Sequence, residues 1–131
     1  TGNTYAPGEE KGDIFGSYGG TITVSNSLID ADCYMEDRAV VLSNGYNIES
    51  PGDTCGFDQE GDQSGVSSVE LNLGELADNG GPTKTHKPGP GSVAIDAIPA
   101  DMCEVTEDQR SQPRPETGGT MCDVGAFEVQ P

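Results

Sequence analysis

Apolar residues in this chain come in short alternating stretches separated by turn formers. In residues 19–29, GGTITVSNSLI, Ile22 and Val24 alternate with Thr21, Thr23 and Ser25, and the phase shifts at Asn26 toward Leu28. Period-two alternation predicts a half-buried strand, because successive side chains leave a strand on opposite faces. The theme returns in residues 39–48, AVVLSNGYNI, where the apolar positions run into Ser43 and Asn44. Further apolar patches lie at residues 66–76 (VSSVELNLGEL), 93–95 and 124–127. No helical periodicity persists beyond two turns. Short strands recurring every 20–30 residues or so predict a solenoid. The expected fold is therefore all-β: a right-handed parallel β-helix of few coils, with long loop insertions at residues 51–65 and 99–119. Val, Ile and Leu would line a thin core, and Asn side chains at the corners would form ladders along the axis.

Composition sharpens this picture. Only 32% of the 131 residues are hydrophobic and Trp is absent, so a thick two-layer core is not expected, while 19 Gly and 9 Pro without collagen periodicity predict many tight turns. The formal charge is −17, from 23 Asp and Glu against 6 Lys and Arg. Such a polyanion is repelled by phosphate backbones and anionic headgroups, which argues against nucleic-acid and membrane-surface partners. The acids can form a solvating coat, hold hard divalent cations, or do both.

The four cysteines, Cys33, Cys55, Cys103 and Cys122, show no CxxC spacing, and His86 is the chain's one histidine. That favours disulfides in an oxidising compartment over zinc. Of three possible pairings, Cys33–Cys55 with Cys103–Cys122 is expected, because each closes a loop of about one repeat. The sequence carries no signal peptide, membrane span or lipidation motif. It opens at Thr1 without Met or a capping element, which leads us to expect chain upstream.

SNGYNI at 43–48, DTCGF at 53–57, LADNGGPTKTH at 76–86, PGSVAID at 90–96, DQRSQPRP at 108–115 and CDVGAFE at 122–128 follow one another in a familiar order. Over residues 43–128 the chain resembles the choice-of-anchor Q type C-terminal region of bacterial parallel β-helix surface proteins. The resemblance implies generic β-helix coils over residues 1–50 and C-terminal coils with a cap over residues 51–131. It also implies a secreted or cell-surface bacterial protein whose terminal module has no assigned catalysis. The chain departs from the family pattern at Pro88, Gly89, Val93, Ile98 and Ser111, and none of these is a charged motif position.

Asp96, Arg110, Arg114, Asp123 and Glu128 fall inside those motifs. Arginine presents a fork of donors that can tie carbonyls and carboxylates from separate loops together. Arg110 and Arg114 are thus expected to pin the 99–119 excursion through Asp96, Asp123 or Glu128; a clamp for a substrate carboxylate is the alternative. In DQEGDQSG, Asp58, Glu60, Asp62 and Ser64 place oxygens at every second residue, as a calcium loop does, although the glycines do not fall where an EF-hand has its own. Asp30 and Asp32, two apart, would form a second weak oxygen site if their strand continues.

His86 has no motif-linked nucleophile or carboxylate. The chain also lacks the GHG, RxK and adjacent Asp pair that mark β-helix hydrolases, and it has few bases of the kind the lyases use. An architectural or adhesive segment is the leading reading, stabilised by calcium and partnered by an upstream β-helix domain or a second copy of itself. A fragment of a polysaccharide lyase or hydrolase is one alternative. A carbohydrate-binding module with an extracellular glycan partner is another, although Tyr5, Tyr18, Tyr34 and Tyr46 are scattered.

Overall fold

The computed structural model describes residues 14–131, so the opening at Thr1 and Tyr5 lie outside the described residues. The fold is all-β, with short strands in five two-stranded sheets, one four-residue α-helix and one 3-10 turn among the described residues. Six strands come first: β1 (Ile14–Gly16), β2 (Thr21–Val24), β3 (Leu28–Ile29), β4 (Cys33–Met35), β5 (Val40–Ser43) and β6 (Ile48–Glu49). They pair in parallel and in chain order, β1 with β4, β2 with β5 and β3 with β6. The registers put Ile14 beside Cys33, Thr21 beside Val40 and Leu28 beside Ile48, offsets of 19, 19 and 20 residues.

The corners repeat with the strands. Tyr18 and Gly19 are left-handed, with φ 54° and 69°, and 19 residues on Asp37 and Arg38 repeat the conformation at 48° and 65°. Asn26 at 49° is matched by Tyr46 at 56°. Gly19 adopts this region without strain, whereas Arg38 does so against a Cβ penalty. The chain returns once more beside β6, where Ile48 bridges Gln63 in parallel. Gln63 N–H donates to Asn47 O at 2.8 Å, and Glu49 N–H donates to Gln63 O at 2.9 Å.

No ladder of stacked asparagines forms among the described residues; Asn47, fully buried, links separate segments of the chain. Its Oδ1 accepts from Ser27 N–H at 3.0 Å, and its Nδ2 donates to Ser43 Oγ at 2.8 Å. One buried Asn linking several segments satisfies groups that would otherwise be orphaned inside.

Beyond Gln63 the pattern changes. Ser67 caps α1 (Ser68–Leu71) in a reciprocal capping box with Glu70, and Asn72 ends it in a left-handed turn. Then β7 (Leu73–Ala77) and β8 (Thr85–Pro88) form an antiparallel hairpin, and β9 (Ile98–Pro99) pairs antiparallel with β10 (Met121–Cys122). The main core gathers Tyr46, Ile48, Val66, Leu71, Ala94, Ile98, Cys122 and Val124, so apolar contact crosses the boundary at residue 50. A smaller cluster holds Ile29, Cys33 and Cys55. No helix among the described residues is long and apolar enough to cross a membrane.

Candidate functional site at the C-terminal end

The antiparallel pair β9–β10 brings the two ends of the long excursion together, and the Cys103–Cys122 disulfide staples it. The Cys33–Cys55 bridge ties β4 to the loop after β6. These two bridges fit an oxidising compartment.

Within the excursion, Asp108 folds its own segment. Its Oδ1 accepts the N–H groups of Arg110 (2.7 Å) and Gln112 (3.1 Å), and its Oδ2 accepts Glu128 N–H (3.0 Å) and the Arg110 guanidinium (2.7 Å at Nη2). Burial pushes the Asp108 carboxyl up, but these donors outweigh it and hold it below the usual range. Arg110 also donates to Glu128 O at 2.6 Å and to Asn79 O at 3.3 Å, and it stacks 3.5 Å from the centre of the Phe127 ring. Its carboxylate partner is thus Asp108, two residues away, and it reaches the C-terminal segment through backbone and ring.

Arg114, 8% exposed, donates to Gly125 O at 2.5 Å and to Asp123 O. Its Nε lies 3.3 Å from Glu128 Oε2, within ion-pair range but without a hydrogen bond. Asp123 and Glu128 close a reciprocal clasp: Asp123 N–H donates to Glu128 Oε2 at 2.9 Å, and Val129 N–H donates to Asp123 Oδ2. Asp96 joins through its N–H, which donates to Asp123 Oδ1 at 2.8 Å.

Burial raises the Asp123 pKa despite these bonds. It raises that of Glu128 to about 7, aided by the charge of Asp123 and opposed by the Asp123 N–H and Arg114. Chemically the cluster can hold the C-terminal segment and exchange a proton near neutrality. Most of its polar atoms are turned on one another and on the backbone, while Arg114 Nε and Glu128 Oε1 have no hydrogen-bond partner.

Three carboxylate oxygens of the 58–64 loop accept hydrogen bonds from within the chain. Asp62 Oδ1 accepts Asn47 N–H at 2.9 Å, Asp62 Oδ2 accepts Gln59 N–H at 2.9 Å, and Asp58 Oδ1 accepts Gln59 Nε2 at 2.5 Å. Glu60 is exposed, and Ser64 Oγ is buried without a partner. Among the described residues, no three His, Cys, Asp or Glu side chains converge as metal ligands.

Strand β3 stops at Ile29, so Asp30 and Asp32 diverge. Asp30 borders a groove shared with His86, whereas Asp32 lies against Gly52, where any side chain would collide with its carboxylate. His86 Nδ1 contacts Gly74 O at 2.7 Å, which ties the β7–β8 hairpin together. Tyr46 is buried and Tyr18 is 90% exposed, so these two tyrosines share no common platform.

Sequence reasoning passed over Glu49 and Asp108. Glu49 is fully buried and accepts from Thr54 N–H (2.7 Å), Thr54 Oγ (2.6 Å) and Cys55 N–H (3.0 Å), beside the first disulfide. The signal in the sequence was slight: an acid just before Ser-Pro-Gly, followed by Thr and Cys.

Comparison with known proteins finds no matching family model, no matching curated protein and no matching solved structure.

Proposed function

We propose that the chain is a non-catalytic structural or adhesive segment of a secreted or cell-surface bacterial protein, wound as the terminal coils of a right-handed parallel β-helix. The observation that carries this reading is the return of β1–β3 as β4–β6, in parallel and at offsets of 19, 19 and 20 residues. Parallel strands need crossover connections, and three that recur in the same order are the pattern a coil would make. The left-handed corners at the same offset support it. So does the resemblance of residues 43–128 to the choice-of-anchor Q region, which favours a terminal place. The antiparallel hairpin then acts as an end piece, because a change of strand direction stops further coils from stacking.

Against an enzyme, most polar atoms of the buried charged groups are spent on backbone donors and acceptors, and His86 holds a carbonyl. On this reading the first-coil edge, formed by β1, β2 and β3, takes a further coil from upstream chain or from a second copy. Light scattering over a concentration series tests it. Self-association of the isolated chain is expected; a strictly monomeric, stable 13.6 kDa species would overturn the open-edge reading.

A further inference from the structure

A groove of about 420 Å³ runs between the β7–β8 hairpin and residues 124–127, within the size range of small-molecule sites. Its apolar surface comes from Leu28, Leu73, Leu76 and Phe127. Leu76 is 53% exposed there, in a chain that is only 32% hydrophobic.

The walls are fixed without any ligand. Gln109 Nε2 donates to Thr83 Oγ at 2.5 Å and bridges hairpin to excursion. Arg110 donates to Asn79 O in the hairpin loop while its guanidinium backs the Phe127 ring at 3.5 Å. Preformed walls spare a ligand the entropy of ordering them.

Charge then selects the ligand. Arg110 and Arg114 are committed to carboxylates and carbonyls, but Lys84 stands exposed at the groove with no ion-pair partner among the described residues. Asp30 and His86 line the same groove on a wall shared with a smaller depression at Gly74 and Glu75. An apolar trough with an ammonium at its edge suits an amphipathic anion, against the opposing Asp30 carboxylate on the same lining. A net charge of −17 sets a repulsive background that limits affinity and selects against polyanions.

We propose that this groove binds a small amphipathic monocarboxylate, its hydrocarbon part on Leu73, Leu76 and Phe127 and its carboxylate on the Lys84 ammonium. Lys84, Leu73, Leu76 and Phe127 lie outside the first-coil edge, although Leu28 of β3 also lines the groove.

Phenylacetate and its neutral amide, phenylacetamide, titrated into the ¹⁵N-labelled chain at tens of millimolar, test it. Saturable shifts are expected in β7, β8 and residues 124–127, with the amide about threefold weaker, the size of an exposed charge pair. Lys84→Gln should bring the acid to the amide's affinity and leave the amide unchanged. Leu76→Asn should weaken both, its fold checked by an otherwise unaltered spectrum. Equal affinity for acid and amide, shifts centred elsewhere, or no saturable shift would each overturn the proposal.

Discussion

Replacing Glu128 with Gln removes a charge that the fold holds at a disadvantage. The carboxyl is completely buried, its Oε1 has no hydrogen-bond partner, and burial raises its pKa from 4.5 to about 7. The folded protein therefore keeps a proton on Glu128 at pH values where the unfolded chain has released it. The stability this group contributes is fully present below pH 4.5 and is lost as the pH rises toward about 7. Above that it is level. At about 1.36 kcal/mol per pH unit, the window amounts to about 3 kcal/mol.

Two neighbours bear on the slope. Asp123 is raised as well and adds in the same direction. Asp108 is lowered, so its contribution is present above the unfolded value of 3.8 and is lost only below it, outside the window. Urea unfolding at pH 5, 6, 7 and 8, in enough sodium chloride to screen the surface acids, measures the effect. The wild-type midpoint should fall with rising pH. In Glu128→Gln, whose amide oxygen can still accept Asp123 N–H, the fall should be largely abolished. A wild-type midpoint that is level or rising from pH 5 to 8, or an equal slope in the variant, would refute the reasoning.

Glu49→Ala should lower unfolding free energy by about 3 kcal/mol, because it strands the N–H groups of Thr54 and Cys55 in the interior; denaturant unfolding at pH 7 measures it. Arg38→Gly should raise stability by about 0.5 kcal/mol, the relief of a left-handed Cβ offset by a looser unfolded chain; a fall in the urea midpoint would count against the corner geometry. Asp62 is engaged with Asn47 and Gln59, so calcium should raise Tm no more than sodium chloride at matched ionic strength. A calcium-specific rise would mean that the turn opens to form the oxygen site.

Legibility followed physical cause. Strand β2 could be read because TITV turns one face inward, which leaves alternation in the sequence, whereas β5 shows only an apolar run because Val40 and Leu42 are apolar yet exposed. The cysteine pairing could be read from loop length. The change to antiparallel pairing after Gln63 could not, since GELAD and THKP are exposed or irregular and carry no period. Nor could the left-handed corner at Asp37–Arg38, where no glycine marks the turn. Asp58, Glu60, Asp62 and Ser64 show how one spacing serves two ends: oxygens at alternate residues suit a cation, but a short loop also uses an Asp to accept its own N–H groups.

That last use extends through the chain and qualifies the notion of an acidic coat. Strands this short leave many loop N–H groups unpaired, and an apolar core this thin cannot admit water to satisfy them. Glu49, Asp62, Asp108, Asp123 and Glu128 supply the acceptors, each taking at least one backbone N–H. The balance between donors and burial then sets each charge state. Asp108, ringed by three backbone N–H groups and a guanidinium, is held in its charged form, whereas at Asp123 and Glu128 desolvation outweighs the bonds and favours the proton. Part of the chain's acid content thus serves as internal scaffolding. It follows that neutralising Asp108 should loosen its loop, while neutralising Glu128 should tighten the clasp a few residues away.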